Sequence, residues 1–169
     1  MKPTKYQHKS YILDYEPIRK TSIWPGHIVD FRYSSKNTLS DPRPLVFVVF
    51  RDIQRKLVHG VNLNYLSEFE VQKMFGFIRK IVPLNQSDKS AKTLSETTTR
   101  FQIPKKDEKI PTMIYEKVIK PKFLIGGKVN CYRTYSQDKI TSMRVIAYKI
   151  ESDFRNWKVR YSEEENKNK

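Results

Sequence analysis

Apolar and polar positions alternate along several short stretches of the chain. In His27-Ile28-Val29-Asp30-Phe31-Arg32-Tyr33, the residues Val29, Phe31 and Tyr33 point one way and Asp30 and Arg32 the other. That is the two-residue period of a half-buried strand. A loop rich in Ser, Asn, Asp and Pro (34–44) leads to Leu45-Val46-Phe47-Val48-Val49-Phe50, an unbroken β-branched and aromatic run too short for a helix. It predicts a central strand. After a polar turn at 52–56, the stretch Leu57-Val58-His59-Gly60-Val61-Asn62-Leu63 predicts a third strand, antiparallel to the second and with a bulge at Gly60.

The period then changes. Ser67-Glu68-Phe69-Glu70 has the form of a capping box, in which a serine and the glutamate three residues on each bond the other's backbone. Behind it Val71, Met74, Phe75, Ile78, Ile81 and Val82 recur at helical spacing, which predicts a helix over 67–82, stopped by Pro83 and packed on the sheet. Residues 84–112 are mostly Ser, Thr, Lys, Gln and Asp, a polar excursion too long for an ordinary connection and expected to gain order from a partner. A short helix over 111–120 would bury Ile114, Tyr115, Val118 and Ile119, and Gly126-Gly127 breaks the chain. Residues 140–150 alternate again and predict a last strand that closes the meander, with 153–157 docked on it.

The fold expected is mainly β with α: a small antiparallel Src-homology-3-like barrel of four to six strands, one capping helix and polar extensions. The division is an N-terminal arm (1–22), a domain (23–160) and a charged tail (161–169).

Charge adds a partner. With 33 Lys+Arg against 18 Asp+Glu, the 169-residue chain carries a formal +15. Such a surplus repels itself unless something anionic lies nearby. Nucleic acid is the leading candidate, since a basic surface releases counterions on binding phosphates; a generic basic surface is the plainer reading. A single cysteine, Cys131, excludes an intrachain disulfide. The longest apolar run, 45–50, is far short of the roughly 20 residues that span a bilayer, so no membrane partner is expected.

Catalytic signals are sparse. None of the five glycines falls in a phosphate-loop or dinucleotide spacing. His8, His27 and His59 lie in separate segments and Cys131 has no C-x-x-C partner, so neither a metal nor another cofactor is expected, and no small-molecule substrate. Asp30, Asp41, Asp52, Glu68 and Glu70 are the carboxylates a metal-dependent nuclease would use. Each has a simpler role on a strand, in a turn or in the first turn of a helix. More informative is a stretch where Lys117, Lys120, Lys122, Lys128 and Arg133 interleave with Phe123, Tyr132 and Tyr135, as expected where phosphates and exposed bases are contacted. Taken singly, each of these residues reads better as part of a solvated face or, for the tyrosines, of the core or an interface.

Pro44-Leu45-Val46, then Gly60-Val61-Asn62-Leu63-Asn64-Tyr65-Leu66, and downstream Tyr132-Arg133-Thr134-Tyr135 resemble small virion proteins of contractile-tailed bacteriophages, described as DNA end protector or head-completion-like. In that pattern a P-L-V strand is followed by a G-x-N-x-x-Y-L turn into a helix. The likeness covers about 26–80 and 115–150, and the chain departs from it in the Lys- and Ser/Thr-rich insertion after Pro83. Physically, Gly60 lets the strand bend, Asn62 and Asn64 can bond backbone at the corner, and Tyr65 and Leu66 can plug the end of a barrel.

The resemblance implies a non-enzymatic structural protein of the neck, portal or tail, made in the host cytoplasm and residing in the virion. Its partners would be other virion proteins and the packaged DNA end. A free nucleic-acid-binding protein is the alternative, and a metal-dependent nuclease the remote one.

Overall fold

The computed structural model describes residues 5–34, 41–85, 100–104, 108–120 and 131–150. They form a mainly β fold. Its strands are β1 (Ile12–Pro17), β2 (Ile28–Tyr33), β3 (Leu45–Asp52), β4 (Leu57–Asn62), β5 (Leu84–Asn85), β6 (Arg100–Phe101), β7 (Tyr132–Ser136) and β8 (Ile140–Tyr148). Six of them make one antiparallel sheet in the order β1-β8-β2-β3-β4-β7, and β5 pairs with β6 in a separate ribbon. The helices are α1 (Glu68–Arg79) and α2 (Lys109–Ile114), the latter continued by a π-helical turn, Tyr115–Ile119.

The unbroken apolar run of β3 is explained by burial on both faces. Leu45, Phe47 and Val49 join a cluster with Val71, Met74, Phe75 and Ile78 of α1, and with Ile114, Ile146 and Tyr148. Val46 and Val48 point the other way, into a second cluster with Val29, Phe31, Val58, Tyr135, Ile140 and Met143. Strands of β2 and β7 meet in that second cluster: the Phe31 and Tyr135 rings sit 5.2 Å apart, edge to face. In a flat sheet, strands three places apart would be about 14 Å apart, so the sheet curls around these side chains.

Two irregularities favour that curl, because a bulge bends its strand and sharpens the twist. On β8, Arg144 faces Asp30 but Thr141 faces Arg32, and Ser142 takes a left-handed backbone with φ 50°. On β3, Val48 faces Gly60 and Phe50 faces His59, so Val49 is the extra residue. The expected bulge near Gly60 is therefore present, but its additional residue belongs to the partner strand. Gly60 serves a different purpose: a Cβ there would collide with the Phe47 carbonyl oxygen and the Val46 side chain. Gly26, with φ 92°, similarly leaves room for the Phe101 backbone.

The helix α1 begins at the expected serine. The Ser67 hydroxyl accepts from the Glu70 N–H and the Glu70 carboxylate accepts from the Ser67 N–H, both at 3.2 Å. The short helix forms too, starting two residues earlier than expected and π-helical from Tyr115; it buries Ile114, Val118 and Ile119, whereas Tyr115, expected with them, is only half-buried.

Three expectations need correction. The 1–22 segment is more than an arm, because β1 lies in it and pairs with β8. As a mostly exposed edge strand held by backbone bonds it needs little apolar content, hence its weak signal. The 84–112 excursion includes Phe101 and Ile103, both buried in the helix-side cluster, and the first turn of α2; residues 86–99 lie outside those described. Asp30, expected on a polar strand face, is buried. The Gly126-Gly127 break, the 153–157 segment and the charged tail lie outside the described residues.

Candidate functional site

The motif segments converge. Val46 faces Asn62 across β3 and β4, while Gly60 faces Arg133 and Val61 faces Tyr132 across β4 and β7. At the end of β4 a single 3-10 turn, Leu63–Tyr65, leads into α1, and buried Asp41 closes this corner. Its Oδ2 accepts from Asn64 Nδ2 at 2.6 Å and Asn62 Nδ2 at 3.4 Å. Its Oδ1 accepts from the Arg43 N–H and from Lys5 Nζ, each at 3.1 Å. Burial alone would raise the Asp41 pKa, but these four donors outweigh it and hold the carboxyl below its usual value. Asn62 Oδ1 also accepts from the Asn64 N–H at 3.1 Å, as a corner asparagine should. Tyr65 and Leu66 are buried in the helix-side cluster.

The remaining carboxylates are engaged separately. Asp30 accepts two bonds from Arg144, with Nε at 2.9 Å, and Arg43 Nε lies 3.4 Å away. These bonds, ahead of the opposing effect of burial, raise the Arg144 pKa. Asp52 accepts from the Arg55 N–H at 3.0 Å in the hairpin turn. Glu68 accepts from Tyr148 Oη at 2.5 Å, and His8 Nδ1 lies 2.7 Å from its other oxygen. His8 Nε2 donates to the Leu63 carbonyl at 2.8 Å, pinning the start of the chain to the corner. Glu70 is half of the capping box. Among the described residues, no three His, Cys, Asp or Glu side chains are grouped to hold a metal ion.

The basic and aromatic candidates divide. Lys117 and Lys120 are exposed on the π-helical turn and just after it, with Lys120 Nζ 3.6 Å from Glu116. Arg133 is half-exposed on β7. Lys122, Phe123 and Lys128 lie outside the described residues. Tyr135 is 6% exposed and packs against Phe31 and Tyr33, so it is a core residue where a surface contact was expected. Tyr132, by contrast, is half-buried in the wall of a groove.

That groove has two lobes and a largely aromatic wall. One lobe, of about 390 Å³, lies between the β3–β4 hairpin, the start of α2 and β7; Phe50, His59, Tyr115 and Tyr132 line it. A second lobe of about 360 Å³ shares Phe50, Asp52, Glu108 and Pro111 with the first and extends to Trp24 and Arg51. The rings form a chain: Phe50 to His59 at 5.6 Å, His59 stacked on Tyr132 at 6.4 Å, and Tyr132 to Tyr115 at 4.8 Å. Arg51 Nη1 donates to the carbonyls of Thr21 (2.9 Å) and Ile23 (3.0 Å), which holds its guanidinium over the Trp24 ring at 5.2 Å. Burial lowers the His59 pKa, only partly countered by Asp52, and this favours the neutral ring. Burial, then Tyr115, pushes Tyr132 up to about 12, keeping its phenol protonated at neutral pH.

Sequence reading found Tyr132 but missed Trp24, Phe50, His59 and Tyr115 as members of one site. Their spacing carries no shared period, because they come from a loop, two strands and a helical turn. One signal was available: a tight hairpin turn at 52–56 brings Phe50 and His59 opposite one another. No family model, curated protein or solved structure matches this chain.

Proposed function

We propose that this chain is a structural component of a tailed-phage virion, at the neck, portal or tail, with a basic surface that touches the packaged DNA end. The observation that carries the reading is the convergence of the resemblance-bearing segments. Pro44-Leu45-Val46, the Gly60–Leu66 corner and Tyr132–Tyr135 are far apart in sequence but occupy adjacent strands and one corner. A likeness spread over unrelated surfaces would carry less weight. Asp30 and Asp41 are held in ion pairs, Glu70 in the capping box, Asp52 in the hairpin turn through one oxygen, and Glu68 accepts from Tyr148; among the described residues no three of them converge, which favours binding over catalysis.

We read the curled sheet as a small, partly open Src-homology-3-like barrel with α1 across it. Around the ring β8-β2-β3-β4-β7 each neighbour is paired, and the remaining gap, between β7 and β8, is bridged by the single 3-10 turn Gln137–Lys139. Such a module presents loops and an edge to neighbouring subunits. The formal +15 supplies the reason for DNA contact. A free nucleic-acid-binding protein is the second reading, favoured by the aromatic groove.

The test is binding of the purified protein to a fluorescent duplex across a salt series with magnesium present, alongside co-sedimentation with purified phage particles. Binding that weakens steeply with salt, intact DNA and co-sedimentation support the virion role. Salt-dependent binding without co-sedimentation supports the free binder. Cleaved DNA would overturn both readings in favour of a nuclease.

A further inference from the structure

We infer that the groove between the β3–β4 hairpin, α2 and β7 takes up unpaired bases of a single-stranded nucleic acid and prefers bases bearing an amino group. The inference rests on the nucleic-acid-contacting part of the reading above and deepens it by naming the ligand's form and the site.

Three features lead to it. The lobe of about 390 Å³ is walled by the aromatic chain Phe50–His59–Tyr132–Tyr115. Its size falls within the range of small-ligand sites. Stacking on such rings is available to a splayed base and denied to one inside a duplex. The neutral form of His59 and the protonated phenol of Tyr132 keep the stacking wall uncharged, with no phenolate to repel a phosphate.

The polar groups of the lip decide which base. Asp52 and Glu108 line both lobes, and both are acceptors when ionised. A carboxylate accepts well from the amino group of cytosine, or from the neighbouring N–H groups of guanine. Thymine has one N–H between two carbonyls, so a carboxylate facing it meets two acceptors. Arg55, whose side chain is 81% exposed at the same lip and whose Nε lies 3.9 Å from Asp52 Oδ2, can reach a phosphate with its outer N–H groups. An aromatic-lined groove is also what a proline-rich peptide docks on, which makes such a peptide the competing occupant; the charged lining of the groove balances, Arg51 and Arg55 against Asp52 and Glu108, and the chain's surplus of 15 positive charges favours the nucleic acid.

The experiment is fluorescence anisotropy with labelled 12-nucleotide oligo-dC, oligo-dA and oligo-dT, and with a blunt duplex, at one low salt concentration. Oligo-dC should bind at least about fivefold more tightly than oligo-dT. Tyr132→Ala should weaken oligo-dC by about tenfold and leave the duplex almost unaffected. Asp52→Asn combined with Glu108→Gln preserves shape and should narrow the gap between oligo-dC and oligo-dT, a readout independent of whether Tyr132→Ala folds.

Equal or tighter binding of oligo-dT overturns the inference. So does a folded Tyr132→Ala that leaves oligo-dC binding unchanged, and so does an Asp52→Asn/Glu108→Gln variant with the gap intact. Normal duplex binding beside any of these would leave the DNA-contacting reading standing. No binding to any oligonucleotide or to the duplex removes both. Binding of a proline-rich peptide in their place, lost in Tyr132→Ala, would make the groove a peptide site and overturn the inference.

Discussion

Tyr33 on β2 and Tyr135 on β7 meet edge to face with ring centroids 5.1 Å apart, although β3 and β4 lie between their strands. The Tyr33 hydroxyl also accepts from the Ser136 N–H at 3.1 Å. This contact ties one side of the curled sheet to the other. Tyr135→Ala should cost about 3–5 kcal/mol in denaturant unfolding, as large aromatic truncations in cores do. Tyr33→Phe keeps the ring but orphans the Ser136 N–H, and should cost about 1 kcal/mol. If Tyr135→Ala leaves stability unchanged, the curl is not held there.

The Asn64–Asp41 bond predicts a pH dependence. The Asp41 carboxyl is held below its ordinary value of 3.8 once folded. Its stabilising contribution is therefore fully present above that value and lost as pH falls through the lower, folded pKa. At pH 7, Asn64→Ala should cost about 1.5–3 kcal/mol, the range for a hydrogen bond to a charged group. The same substitution should cost less in acid, once Asp41 is protonated. Urea unfolding of both proteins at neutral pH and in steps down to the most acid pH at which the fold survives checks this, and a penalty that never shrinks over that range would contradict it.

Arg144 predicts the outcome of removing one half of a partly buried pair. Arg144→Ala leaves the Asp30 carboxylate with only the longer contacts to Arg43, and should destabilise the fold by about 1–3 kcal/mol. The double change Asp30→Leu with Arg144→Met replaces the pair by apolar side chains and should recover most of that loss. The same thermal-melt series bears on Asp30 as a catalytic carboxylate. A structural Asp30 makes Asp30→Ala less stable, whereas a catalytic one would leave stability intact and abolish a divalent-ion-dependent cutting activity.

The sequence by itself determined what depends on neighbours along the chain. The period-two alternation around Phe31, the unbroken run at Val46–Phe50 and the capping box at Ser67 each encode an element, because side-chain direction and backbone satisfaction are local properties. They are legible without knowing what lies opposite. The Asn62 and Asn64 corner was readable for the same reason, since an asparagine bonds the backbone next to it.

Tertiary structure decided what depends on pairing. Nothing in the polar edge strand Ile12–Pro17 announces that it lies against β8, because an edge strand is held by backbone bonds that any sequence can make. Asp41 and Asp30 look like turn and surface residues until Asn64 and Arg144 are brought to them from 23 and 114 positions away. Tyr135 looks like a binding residue until the sheet curls over it. The groove exists because a bulge, a hairpin register and a helix start set Phe50, His59, Tyr115 and Tyr132 side by side. Those distances are fixed by packing between elements, and a one-dimensional pattern does not encode them.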